Sequence, residues 1–592
     1  MAAVLLCFCA FTNEAMGQTW NIGNPGYNSN VKATLSGNTL TISGSGNMVD
    51  FWDSTEGEAP WWFNSTHRAS IQTVVIQENV TNIGNRAFKD CGNLRTVRIE
   101  SPVYIIGRQA FLDCTNLKEI TIPNSVTEIE GEAFKNCSNL QTVKIENGSQ
   151  ELKFSGFIYN GNEYPRGWKY EWFDGCPIQT LHIGSKKYTY DFNSDSSESP
   201  FRRISTLLTL TIGNTVNEIN GRAFANCTNL SNVTIENGPN DLTFGSGGNY
   251  FNQSPIKTLH LGRNIVYNLL PESIPFREKT SLTTLTIGNN VGTIGDEAFY
   301  GCSGLSSAVT IPNSVRTIGE SAFNGCVVLP MVTIGTNVET IGASAFNQCR
   351  ALTSIVIPQN VNFIDGNAFA NCDCLSNVTI EDSPRDLTFA YTRGGNYFNQ
   401  SPIKTLHLGR NITYTSVASY IPFSGKISLT TLIIGNNVSS IGYEAFLNCT
   451  GLTTITSQNP TPPTTSYNCF YGINKTTCTV NVPQGSKCAY KEANFWKEFI
   501  NINDGTNSSC SNGIDNAVAN QLQIYPNPAK DEIFIKTEIP IEKVEIYSLA
   551  GALLLSENNF AEKITVSTLP HGIYLLKVYT DKGVAVSKVV KE

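Results

Sequence analysis

Nine cysteines of this 592-residue chain stand at one fixed offset from an alanine-phenylalanine pair. Each closes the pattern Ala-Phe-x-x-Cys, with Phe88, Phe111, Phe134, Phe224, Phe299, Phe323, Phe346, Phe369 and Phe446 followed by Cys91, Cys114, Cys137, Cys227, Cys302, Cys326, Cys349, Cys372 and Cys449. A regularly placed thiol offers nucleophilic attack, disulfide pairing or metal ligation. Nucleophilic attack needs an electropositive, exposed setting, and a cysteine among apolar repeat positions lacks it. Seventeen cysteines, were the chain exported, would ordinarily read as a disulfide framework. In-register parallel neighbours, however, rarely meet the required dihedral angle. The expectation is a ladder of buried thiols acting as small hydrophobes. Cys372-Asp373-Cys374 imitates a metal pair, but Cys372 already belongs to the ladder. Cys469, Cys478, Cys488 and Cys510 lie outside it and leave room for one disulfide.

Three histidines, His182, His260 and His407, each sit in Pro-Ile-x-Thr-Leu-His. They replace the residue between two inward apolar positions, where other units carry Thr121, Thr211, Thr234, Thr286, Thr310, Thr333 and Thr379, or Arg98 and Lys144. Strand alternation turns this position outward, so a threonine ladder punctuated by histidines is expected on the exposed sheet face. β-propensity alone accounts for the threonines; a ligand-binding face is the functional reading. Histidines dispersed along an array do not converge on one metal. A second candidate surface is FIYNGNEYPRGWKYEWFDG, where Tyr159, Tyr164, Trp168, Tyr170 and Trp172 offer large rings to sugar or protein. The plainer alternative is that some of these rings close over their own loop.

The elements that must position these residues repeat every 23 residues: NRAFKDCGNL, RQAFLDCTNL, GEAFKNCSNL. Within a unit the apolar pattern runs Leu117, Ile120, Ile122, Val126, Ile129, Ala133, Phe134, Cys137. Ile-x-Ile alternates as a strand does, Pro-Asn or Gly-Asn then turns the chain, and the Ala-Phe segment reads as a short helical or irregular return. One unit cannot bury its apolar side, whereas stacked copies bury a continuous core. Three longer modules interrupt the short units, and residues 247–265 and 394–412 are identical, GGNYFNQSPIKTLHLGRNI. In these modules Phe173, Phe251 and Phe398, then Phe201, Phe276 and Phe423, take the place of the repeat phenylalanine.

The net charge of -8 and scattered Lys and Arg exclude a basic nucleic-acid face and a charge-driven membrane surface. Residues 1–17 read as a secretory signal without the usual basic start, too short to span a membrane, so the true start is expected upstream. Residues 18–70 form an N-terminal lead-in in which Trp52, Trp61, Trp62 and Phe63 suit the covering of the first coil. The array occupies 71–458, a C-terminal cap 459–502, an Asn/Ser/Gly-rich linker 503–520, and a strand-alternating tail 521–592. HExxH, GxSxG, paired-carboxylate and phosphate-loop motifs do not occur, and no cofactor, metal or catalytic residue is expected.

The unit Leu-x-x-Ile-x-Ile-Pro-x-x-Val-x-x-Ile-Gly-x-x-Ala-Phe-x-x-Cys resembles the BspA-like leucine-rich repeats of bacterial surface proteins. LQIYPNPAKDEIFI, VEIYSLAGALLL, LPHGIYLLKV and SKVVKE together resemble a type A sorting domain of the type IX secretion system. These resemblances imply an α/β-type leucine-rich repeat solenoid, with a parallel sheet and short helical or irregular returns, followed by a small all-β sandwich. They further imply a non-enzymatic protein attached to the outer cell surface. Its tail would engage the secretion machinery and be removed, and the array would adhere to host extracellular proteins or glycans or to other bacteria. A structural envelope protein without external ligand, or a glycan-capturing accessory, is the alternative.

Overall fold

The computed structural model describes residues 17–27, 29–52, 58–62, 64–156, 158–159, 162–163, 172–190, 199–390, 394–414, 421–506, 521–558, 560, 562–580 and 583–592. Gln18–Asn21, Lys32–Ser36 and Thr39–Ser43 pair antiparallel, and the last of them starts a parallel ladder with Thr73–Ile76 and Thr96–Ile99. A seven-stranded sheet then runs from Glu119–Ile122 to Thr284–Asn290, and another from Ser354–Ile357 to Asn501–Asn503. The Ile-x-Ile alternation works as expected: Ile120 and Ile122 are buried while Glu119 and Thr121 are exposed.

A second parallel stack accompanies the first. Ile106, Ile129 and Phe154 are successive partners in a sheet of six strands. Most strands of the second stack span two or three residues, too short for alternation to be legible beforehand. The Ala-Phe segment that follows is a run of turns, not a helix. Its sharp corners put the residues two before and two after the ring in the left-handed region, as at Arg86 (φ 55°) and Asp90 (φ 57°). At the second corner Asp, Asn and Gly recur, the residues that tolerate this conformation best.

Phenylalanines at this corner form an unbroken ring column from Phe88 to Phe470, through Phe173, Phe201, Phe251, Phe276, Phe398 and Phe423 in the long modules. Consecutive centroids lie between 5.2 and 6.5 Å apart. Burial of each ring contributes about 1.5–3 kcal/mol, and stacking adds about 0.5–1.5 kcal/mol. Tryptophan closes both ends. Trp61 stacks on Phe88 at 5.9 Å and donates its indole N–H to Ala87 O at 3.0 Å. Trp496 packs edge-on against Phe470 at 5.0 Å and donates to Pro463 O at 2.9 Å. Of the expected N-terminal cap residues, Trp61 is buried, Trp62 is half-buried under Arg68, Trp52 is exposed, and Phe63 lies outside the described residues.

The long modules widen the coil. Phe154, Phe244 and Phe389 replace a second-stack isoleucine, while Trp172, Tyr250 and Tyr397 replace the alanine before the column ring. Each pair meets edge-on, at 5.5, 4.9 and 4.9 Å. Two small residues have been exchanged for two rings, which fill the added cross-section.

The array, Met1–Pro483 with Ala493–Asn503, is one compact unit. Gln484–Glu492 with Asp504–Glu592 is a second. The latter holds two antiparallel sheets, one of Gln523–Tyr525, Glu532–Lys536 and Lys563–Thr565, the other built on Ile541–Ser548 and Gly572–Thr580. Ile533, Ile535, Val544, Ile546, Leu576 and Val578 form its core.

Candidate functional site

The cysteine column has a definite task, and it is not catalysis. The Cys114 thiol donates to Phe88 O, Cys137 to Phe111 O, and Cys326 to Phe299 O, each reaching the carbonyl of the column ring one coil earlier. Nine thiols do this, Cys176 among them. A thiol is a weak donor that packs like a small hydrophobe, which suits a dry carbonyl in an apolar wall. Burial pushes the Cys91 and Cys302 thiols up to about 12 and Cys326 well above its ordinary value, so these three present no thiolate at neutral pH. Outside the column Cys374 is exposed and free, Cys469 and Cys478 are buried and free, and Cys488 is disulfide-bonded.

The same seat in other coils carries other donors, which a search for Ala-Phe-x-x-Cys does not find. Ser254 Oγ donates to Phe224 O at 3.0 Å and Ser401 Oγ to Phe369 O at 2.7 Å. One coil beyond each serine, Lys279 Nζ donates to Phe251 O at 2.7 Å and Lys426 Nζ donates to Phe398 O. The usable signal was the offset of three from Phe251, Phe276, Phe398 and Phe423, hidden because the cysteine itself is missing. Burial holds both ammonium groups down to about 8. The identical blocks also carry Arg263 and Arg410, fully buried. Arg263 donates to Gly213 O and Asn214 O at 2.7 and 2.9 Å, and Arg410 to Pro358 O and Gln359 O at 2.8 and 2.7 Å. Both guanidinium groups pin a turn two coils away, a role that planar forked donors perform well.

The outward strand positions line up across the sheet in the register Lys144, His182, Thr211, Thr234, His260, Thr286. His407 follows Thr379 in the other seven-stranded sheet. His182 and His260 are three strands apart, about 14 Å at ~4.8 Å per strand, so the fold does not bring the histidines together. Nor do His182 and His407 project freely. His182 is 17% exposed, with Nδ1 2.8 Å from Ile145 O and Nε2 3.4 Å from Glu236 Oε1. His407 is 24% exposed, with Nε2 3.9 Å from Asp382 Oδ2. Among the described residues no cluster of His, Cys, Asp or Glu is placed to hold a metal ion, and no helix is long and apolar enough to cross a membrane.

Of the aromatic loop, Tyr164, Trp168 and Tyr170 lie outside the described residues. Trp172 does not join an exposed face. It is 2% exposed, its indole N–H donates to Ser155 O at 3.3 Å, and its ring closes against Phe154. The reading of Trp172 as a ligand contact is corrected accordingly: it fills the coil that Phe154 widens. A cleft of about 730 Å³ lies instead on the return side beside Lys279. Asn249, Asn252, Gln253, Glu272, Arg277 and Lys279 contribute to its walls.

Stacked strand-turn coils with a buried ring column define a leucine-rich repeat solenoid. Residues 63–162, 169–268, 272–394 and 415–525 match the BspA type leucine rich repeat region, in six copies, and the chain belongs to this family. Residues 523–592 match the secretion system C-terminal sorting domain, which directs export by type IX secretion to the cell surface or extracellular space. Solved structures with a similar chain include a leucine-rich repeat protein from Eubacterium ventriosum ATCC 27560, at 19% identity over 77% of this chain and 95% of that one, TM-score 0.27. A leucine rich cell surface protein from Faecalibacterium prausnitzii A2-165 is 22% identical over 68% of this chain and 96% of its own, TM-score 0.22. A leucine-rich repeat protein from Bacteroides ovatus ATCC 8483 is 17% identical over 65% and 98%, TM-score 0.25. No curated protein matches the chain.

Proposed function

We propose that this protein is a non-enzymatic, surface-displayed binding protein whose array engages host extracellular proteins or glycans, or the surfaces of other bacteria. The observation that carries the reading is the division of labour in the coil. Column thiols, hydroxyls and ammonium groups are spent on main-chain carbonyls, while the outward row from Lys144 to Thr286 stays in register over six strands. An extended sheet face of this kind is what solenoids offer to partners. Adhesion fits a chain exported by its sorting domain, and the secretion machinery is its partner during export.

The test is capture by the immobilised full-length protein from mucosal extract and from the surface material of neighbouring bacteria. A saturable partner is expected, weakened at least tenfold when Thr211, Thr234 and Thr286 are replaced by lysine with the thermal midpoint unchanged. Capture equal to that of an unrelated solenoid would favour a structural envelope role. Polysaccharide turnover by the purified chain would overturn the non-enzymatic reading.

A further inference from the structure

We infer that the cleft beside Lys279 binds a sugar bearing one carboxylate, and that Lys426 marks a second copy of the site; this rests on the reading that the array is a ligand-binding protein. The seat that Lys279 occupies does not itself need a charge. Nine coils satisfy the preceding Phe carbonyl with a thiol and two with a hydroxyl, and neither incurs the cost of desolvating an ammonium group. Lys279 and Lys426 incur it, in the two coils that follow the identical blocks.

An ammonium group has three donors, and Phe251 O takes one of those on Lys279. No carboxylate pairs with Lys279 among the described residues, whereas its neighbour Arg277 is already neutralised by Glu297 at 2.9 Å and Glu278 at 3.0 Å. Lys279 is therefore the one cation lining the cleft without a carboxylate partner among the described residues. Its volume, about 730 Å³, lies within the usual range of ligand pockets and accommodates a mono- or disaccharide. Asn249, Asn252 and Gln253 bring amides to the cleft, and Glu272, whose carbonyl accepts from the Asn249 N–H at 2.6 Å, brings a carboxylate acceptor beside them, a set suited to sugar hydroxyls. Glu272 and Glu278 at the same cleft disfavour a doubly charged phosphate and leave room for a single carboxylate at Lys279. Burial, which holds the Lys279 ammonium down to about 8, also strengthens its attraction for such an anion.

The amides recur as Asn396, Asn399 and Gln400 ahead of Lys426, but Ser424 and Gly425 stand in place of Arg277 and Glu278, and the counterpart of Glu272 is Ser419, outside the described residues. The two lysines are six coils apart, roughly 30 Å at ~4.8 Å per coil, so a polymeric acidic glycan could engage both and gain avidity.

The test titrates the full-length protein with glucuronic acid, N-acetylneuraminic acid, glucose and inorganic phosphate, followed by calorimetry. The variant is Lys279→Cys with Lys426→Cys, which restores the donor used in the short units and keeps the column intact. At least one acidic sugar is expected to bind tenfold tighter than glucose or phosphate, and the variant to lose that preference while its thermal midpoint holds. Acidic-sugar binding unchanged in the folded variant, phosphate bound more tightly, or no acidic sugar bound at millimolar concentration would each overturn the inference. If the captured partner is retained while the acidic sugars fail to bind, the cleft is refuted and the array remains a binding protein. If capture also fails, the broader reading falls with it. Should the cysteine variant misfold, Lys279→Ser with Lys426→Ser, which repeats the donor found at Ser254 and Ser401, is read by the same criteria.

Discussion

The short 23-residue units and the duplicated long modules solve one problem with different chemistry. Both place the carbonyl of a column phenylalanine where the chain turns, within reach of a side chain one coil on. The short units use cysteine, an apolar residue that is also a weak donor, and bury Ile129 and Ala133 where the long modules carry two rings. The long modules use serine and then lysine, and rebuild the interior with Phe244 and Tyr250, or Phe389 and Tyr397. They add a buried arginine that ties turns two coils apart. The difference teaches that the seat accepts donors of several kinds, and even Ile204 and Ile473, which donate nothing. Where a costly donor occupies it, packing is an insufficient reason.

The comparison can be broken most forcefully at the ring shared by both regions. Phe134→Ala and Phe251→Ala should each cost about 3–5 kcal/mol, read from urea midpoints. A much smaller loss at Phe251 would mean that the wide module does not depend on the column. Next in size is Arg263→Ala, which removes the guanidinium bonds to Gly213 O and Asn214 O, leaves Gly213 O with the Val216 N–H alone, and should cost on the order of 3 kcal/mol; among the described residues no short unit has a buried arginine to lose. An unchanged midpoint would show that water replaces the guanidinium without penalty.

The lysines sharpen the contrast through pH. In the folded array both hold a value of about 8 against an ordinary 10.5. Between those values the unfolded chain binds more protons, so stability rises with pH from about 8 to 10.5. Subtracting the curve of the Lys279→Ser, Lys426→Ser variant, whose hydroxyls do not titrate in this range, isolates this slope, and a flat difference would contradict it. The smallest effect is expected at Cys326→Ser, which keeps a donor toward Phe299 O and should change stability by about 1 kcal/mol or less. A loss above about 3 kcal/mol would show that the thiol's apolar character, and not its hydrogen bond, holds the short units together.

Much of this was legible beforehand because it is local. The period, the inward Ile120 and Ile122, the buried phenylalanines and the substitution of Phe173, Phe251 and Phe398 for the repeat ring all follow from spacing within a unit. The inert thiols followed from their apolar company. The candidate surfaces were less legible. Alternation placed His182 on the outer face, but Glu236, which half-covers it, comes from 54 residues further on. Trp172 looked like its aromatic neighbours, and its burial depends on Phe154 having replaced an isoleucine on the opposite wall. Second-stack strands such as Glu218–Ile219 are too brief to carry a pattern.

By itself, then, the sequence determined the repeat, the strand faces, the core rings and the sorting tail, since each is written in residues close together and a periodicity of two or 23. Only the tertiary structure decided what the column residue does, because its acceptor lies one coil earlier and about 26 residues away, as from Cys114 to Phe88. The same holds for the seat of Lys279 and the cleft beside it: stacking brings Phe251 and Lys279 together across 28 residues, a juxtaposition that no local pattern encodes.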